Sequence, residues 1–96
     1  MKLMISQPMR GKTNEQIREE RSELVKKLQE EGHEILDTVF DLPPKDCDTA
    51  IYYLSKSIEF LGQADGVVFM SGWQQARGCR IEYQVATEYG KFIKLI

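Results

Sequence analysis

Four short strand-like runs separated by three amphipathic stretches constrain this chain more than any other feature. The runs are Leu3-Met4-Ile5, His33-Glu34-Ile35-Leu36-Asp37, Gly66-Val67-Val68-Phe69-Met70 and Phe92-Ile93-Lys94-Leu95-Ile96. Short continuous apolar runs suit strands buried on both faces of a sheet. Between the first two, Thr13-Asn14-Glu15-Gln16 forms a capping box. Ile17, Leu24, Val25 and Leu28 then keep helical spacing, Arg18, Glu19, Lys26, Lys27 and Glu30 take the wet face, and Gly32 offers a left-handed cap. A second helix is predicted from Asp48 or Thr49, with the stripe Ile51, Leu54, Ile58 and Leu61 and with Gly62 near its end. A third is predicted from about Gln74 to Tyr89, closed by Gly90. Strands alternating with helices at this spacing imply right-handed βαβ units. The expected fold is a small three-layer α/β/α sandwich, flavodoxin- or Rossmann-like, with a four-stranded parallel sheet in the order 2-1-3-4. Residues 1–96 are expected to form one domain.

Composition excludes several classes. Thirteen Lys and Arg against fifteen Asp and Glu give a formal net charge of -2, without the basic footprint that polymeric nucleic acid requires. Cys47 and Cys79 are too few for a disulfide framework or a zinc site, so no metal or cofactor is expected and a reducing cytoplasm fits. The opening apolar run is too short for a signal peptide, and no stretch approaches the roughly 20 apolar residues that span a bilayer, so no membrane partner is expected.

In open parallel sheets the ligand lies at the carboxyl ends of the strands, where connections diverge to opposite faces. That rule places Ser6 to Gly11, Asp37 to Asp41 and Ser71 to Trp73 at the functional edge, and His33 and Asp65 at the opposite one as structural or exposed residues. Within the third helix, i, i+3, i+4 spacing groups Gly78, Ile81, Glu82, Val85 and Tyr89, so Glu82 interrupts an apolar stripe. A buried carboxylate must be hydrogen-bonded, paired or shifted in pKa. Two readings stand: a reactive acid beside a glycine that lets a ligand approach the backbone, or a structural salt bridge to a nearby Arg. Ser71-Gly72 could hold an anion at a helix N-terminus, or Ser71 could simply N-cap the helix. Pro8 supplies a rigid bend, Met9 a thioether able to pack on a flat ring, and Arg10 a guanidinium for phosphate or an exposed loop cation. Trp73 could stack on a base or anchor a core or interface. Arg77 sits oddly for a surface cation at the positive end of a helix, and could hold phosphate or orient Glu82.

The opening Met4-Ile5-Ser6-Gln7-Pro8-Met9-Arg10-Gly11 and the segment Gly72-Trp73-x-x-x-Arg77-Gly78-x-x-x-Glu82 resemble the nucleoside 2-deoxyribosyltransferase-like superfamily, most of all its short bacterial and phage branch. The resemblance covers essentially the whole chain. It implies that Glu82 attacks C1′ of a 2-deoxyribosyl group and displaces the base, as in a retaining glycosidase. It further implies that Ser6, Gln7, Pro8 and Met9 line the base or sugar pocket, that Ser71, Gly72 and Gly78 border the sugar and its 5′ substituent, and that a neighbouring subunit completes the site in a homodimer or larger homo-oligomer. The partner would be a small nucleoside or nucleotide.

The chain departs from that family at two acids: an aspartate six residues before the nucleophile is here Ala76, and another in the second helix falls near Ser57. The proton for the leaving group would then come from Asp37, from Asp41 or from a partner subunit. Three functions follow. The first is N-glycosidic bond cleavage or transfer through Glu82. The second is non-catalytic binding of a nucleotide or nucleotide-derived signal, with Arg10 and Arg77 on phosphate. The third is an oligomeric scaffold anchored by Trp73, Tyr52 and Tyr53.

Overall fold

The computed structural model describes residues 1–40, Pro43 and residues 46–96. Asp41 and Pro44, part of the expected loop over the site, lie outside the described residues. The elements follow the expected alternation: β1 (Lys2–Ser6), α1 (Asn14–Glu30), β2 (Glu34–Ile35), α2 (Thr49–Gln63), β3 (Gly66–Phe69), a single 3₁₀ turn (Trp73–Gln75), α3 (Arg77–Glu88) and β4 (Phe92–Leu95). All pairings are parallel, and the sheet runs β2-β1-β3-β4 as the spacing predicts.

Strand alternation divides the core in two. Leu3, Ile5 and Val68 face α1 and meet Leu28, with Leu24, Val25, Ile35 and Met70 packed around them. Met4, Val67 and Phe69 face the other way and meet Leu61 and Ala64 of the α2 end and Ala86 of α3. β1 is thus covered on both faces, which explains why its sequence is apolar at consecutive positions. β4 closes one side of the sheet and leaves Phe92, Leu95 and Ile96 44, 53 and 58 % exposed. A hollow of about 400 Å³ lies between it and α1, lined in part by Leu24, Lys27, Lys94 and Ile96.

Local chemistry sets the helix starts. At α1, Thr13 Oγ1 accepts from the Gln16 N–H at 3.1 Å, and Gln16 Oε1 accepts from the Thr13 N–H at 2.8 Å. At α2, Asp48 Oδ1 accepts from the Ile51 N–H at 3.0 Å. Gly32, just past α1, takes φ +93°, as a left-handed terminator should. At the amino edge of the sheet, Asp65 Oδ2 accepts from the Lys2 N–H at 2.7 Å and His33 Nδ1 lies 3.2 Å from the terminal amine. Both residues have the structural placement expected of them.

Gly62 lies near the end of α2 as expected, since the helix runs to Gln63 and ends where Ala64 turns extended to enter β3. Other expectations are corrected. Ile51, counted in the α2 stripe, is 64 % exposed because it sits in the first turn, away from the sheet. α3 begins at Arg77, three residues later than predicted, because Ala76 (φ -102°, ψ 119°) is extended and breaks the 3₁₀ turn from the helix. The buried line of α3 is accordingly Cys79, Glu82 and Ala86, while Gly78 is exposed and Tyr89 is 78 % exposed at the cap. Small residues let α3 approach the sheet, and Glu82 belongs to the buried line as expected. No helix among the described residues is long and apolar enough to cross a membrane.

Candidate functional site

Order β2-β1-β3-β4 makes β1 and β3 neighbours whose outgoing connections leave to opposite faces, one into α1 and the other into α3. Their carboxyl ends are the topological switch point of the sheet, where open sheets of this kind place a ligand crevice. Ser6, the last residue of β1, points toward α3, and the next residue, Gln7, reaches α1. These two residues organise the site.

On the α3 side, the Ser6 hydroxyl donates to Glu82 Oε1 at 2.7 Å. Ser6 is 1 % and Glu82 7 % exposed. Burial pushes the Glu82 carboxyl above the ordinary glutamate range, and the hydroxyls of Ser6 and Ser57 and the charge of Arg21 offset that rise only in part. Ser57 is a residue of α2. Glu82 forms no salt bridge with any described residue, so a structural ion pair does not account for it. One turn before it, the Cys79 thiol is buried and pushed up by desolvation, with Ser6 lowering and Glu82 raising it further.

On the α1 side, the Arg21 Nε–H donates to Gln7 Oε1 and its Nη1–H to Thr38 Oγ1 at 3.1 Å. Gln7 Nε2 donates to the Ile17 carbonyl at 3.3 Å, and the Thr38 hydroxyl to the Ile5 carbonyl at 3.4 Å. Gln7, Arg21 and Thr38 are all at least 95 % buried. Desolvation lowers the Arg21 pKa, partly countered by Asp37 and Glu82.

The remaining expected site residues divide. The loops after β1 and β3 meet: a Cβ at Gly72 would lie 3.5 Å from Pro8 Cγ, and Gly72 adopts φ +90°, which favours glycine. Met9 is half-buried, and its carbonyl accepts the Lys12 N–H to close the turn through Gly11 at φ +78°. Gly78 borders open space, since a Cβ there would touch nothing within 4 Å. Trp73 stacks on Tyr83 with ring centroids 4.6 Å apart at 22°, and packs on Phe69 at 5.2 Å. Its indole therefore packs against the core while remaining partly exposed. Ser71 is exposed in a turn and caps no helix; the N-cap of α3 is Ala76, which offers no side-chain cap. Arg10 and Arg77 are exposed and form no salt bridge with a described residue. Asp37 pairs with Arg18 at 3.0 Å and accepts the Val39 N–H at 3.1 Å. Partial burial pushes its carboxyl up, but those bonds and the nearby arginines outweigh it and hold Asp37 below the ordinary aspartate range. That favours the carboxylate and makes Asp37 a poor proton donor. No group of three or more His, Cys, Asp or Glu among the described residues could hold a metal.

Arg21 and Thr38 were not expected here, and Ser57 was marked only by the resemblance. Arg21 was legible: it lies four residues after Ile17 and three before Leu24, so it interrupts the α1 stripe as Glu82 interrupts that of α3. Nothing local in the sequence distinguishes Thr38 or Ser57.

A family model described as "Domain of unknown function (DUF4406)" matches residues 1–95. No curated protein and no solved structure matches the chain.

Proposed function

We propose, for a chain that belongs to the DUF4406 domain family, that the switch-point crevice binds a nucleoside or nucleotide and that Glu82 is the nucleophile of N-glycosidic bond cleavage or transfer. The observation that carries this reading is a carboxylate 7 % exposed at the switch point, oriented by the Ser6 hydroxyl and free of any salt bridge to a described residue. A buried acid with no structural counter-ion is costly to the fold, and such groups concentrate where chemistry is done. Resemblance to the nucleoside 2-deoxyribosyltransferase-like superfamily supports the reaction class, and Ser57 beside Glu82 agrees with the residue correspondence.

In the reaction, a Glu82 oxygen forms a bond to the anomeric carbon as the bond from that carbon to the base nitrogen breaks. The electron pair goes to the base, which takes up a proton. Water or a second base then attacks the glycosyl-enzyme and releases Glu82. The oxocarbenium-like transition state carries positive charge, so an ionised Glu82 stabilises it more than the ground state. By the same resemblance the working unit is a homo-oligomer, and the scarcity of cysteines suits a reducing cytoplasm.

The binding-only alternative has its own support. By the resemblance, Ala76 stands where the transferases carry one acid and another falls near Ser57, while Asp37 is held as a carboxylate by Arg18 and Val39. The test incubates the protein and its Glu82→Ala variant with deoxynucleosides, their 5′-monophosphates and free bases, followed by chromatography with mass detection. Base release or exchange that Glu82→Ala abolishes is expected. Binding of the same compounds without turnover would establish the alternative.

A further inference from the structure

Arg21 presents a charge that its surroundings do not answer. A guanidinium has five N–H donors, and this one is 5 % exposed. Its Nε is spent on Gln7 and its Nη1 on Thr38, both neutral acceptors, whereas Nη2 is buried and has no hydrogen-bond partner among the described residues. The acids nearest in influence are engaged elsewhere: Asp37 by Arg18 and Val39, Glu82 by Ser6. Buried arginines are rare unless paired, because desolvating an uncompensated cation is expensive.

Its position is as informative as its missing partner. Arg21 comes from α1 on one face of the sheet and Glu82 from α3 on the other. They are held by the consecutive residues Gln7 and Ser6 at the end of β1. The guanidinium and the carboxylate are therefore both tied to the carboxyl end of β1, from opposite faces of the sheet.

We infer that Arg21 is a ligand-binding residue whose unpartnered Nη2 takes an anionic oxygen of the small molecule that occupies the crevice opposite Glu82. The inference rests on reading that crevice as a ligand site, and it narrows the ligand to one carrying a phosphate ester or a carboxylate. An anion supplies the hydrogen-bond acceptor and the countercharge together, which a neutral sugar hydroxyl does not. Nη2 is shielded from solvent, so binding an anion there requires its surroundings to shift.

The test is isothermal titration of the unmutated protein with 2-deoxyribose 5-phosphate, with glucuronate as the carboxylate probe and 2-deoxyribose as the neutral control. At least one anionic probe is expected to bind about tenfold or more tightly than the neutral sugar, and the better of the two identifies the source of the oxygen. Arg21→Gln is expected to abolish that preference and Arg21→Lys to keep part of it. Should the variants fail to fold, the unmutated protein labelled with ¹⁵N on arginine provides the second readout. The exchange-protected guanidinium is expected to shift on titration with the anionic probe. Equal binding of charged and neutral probes, a preference that survives in folded Arg21→Gln, or an unmoved guanidinium resonance would overturn the inference. Turnover abolished by Glu82→Ala, with anion preference unaffected by Arg21→Gln, would sink the Arg21 assignment and leave the Glu82 reading standing. Arg21-dependent anion binding without turnover would do the reverse.

Discussion

At Glu82 the carboxyl group loses water on folding, and the hydrogen bond from Ser6, with the Ser57 hydroxyl nearby, only partly offsets that loss. Its folded-state pKa therefore lies above its unfolded value. The stability associated with the neutral acid is full below the unfolded pKa and is lost as pH rises through the folded one. Glu82→Gln keeps the shape and removes the charge, so its melting temperature should gain on that of the unmutated protein from about pH 4 to pH 8. A constant difference across that range would show that Glu82 ionises without cost. Two glycines separate packing from ligand approach. A Cβ at Gly66 would lie 2.6 Å from the Phe92 carbonyl oxygen, and backbone cannot move aside as a side chain can. Gly66→Ala should lower stability by about 1–3 kcal/mol in urea unfolding. Gly78→Ala meets open space in the first turn of α3 and should raise stability by up to about 1 kcal/mol. If the ligand contacts the backbone there, its affinity falls in titration calorimetry as the fold strengthens. Both acidic and basic anchors of the site were legible as charges inside apolar stripes. Ser57 and Thr38 were not, because a lone hydroxyl on an amphipathic helix or a loop carries no periodic signal.

The helices differ in how openly their ends are written. Thr13 with Gln16 and Asp48 ahead of Ile51 are side-chain caps, readable because the capping atoms belong to residues with strong local preferences. Thr13→Ala should cost about 1 kcal/mol, measured as a lower urea midpoint with an unchanged slope. α3 has no such signal: its N-cap, Ala76, is set by backbone geometry alone, after a 3₁₀ turn fixed by the Trp73 ring on Tyr83 and by Arg80 Nη1, which donates to the Gln74 carbonyl at 2.9 Å. Those are tertiary contacts, invisible to periodicity. The delayed start rotates the buried line onto Cys79 and Ala86 while leaving Glu82 within it.

For the molecule as a whole, strand order was readable because the alternation of strands and helices leaves few right-handed, uncrossed paths for a chain of this size. The site followed from topology more than from motif, since the switch point selects the ends of β1 and β3 before any side chain is considered. Ligand linkage is the corresponding whole-molecule measurement. A deoxynucleoside 5′-monophosphate present at about 100 times its dissociation constant should stabilise the fold by about 2.7 kcal/mol, read as a rise in melting temperature. No rise with any compound of the panel would favour an oligomeric scaffold over both ligand-binding readings. The Ser6–Glu82 bond spans 76 positions, and the central strand that carries Ser6 is the first to be synthesised. A nascent chain therefore holds one partner of that bond long before the other exists, and the pair forms only when α3 docks. Long-range closure of this kind is slow relative to local helix formation. Competence to bind should consequently appear in the last kinetic phase of refolding, after most of the helical signal has returned.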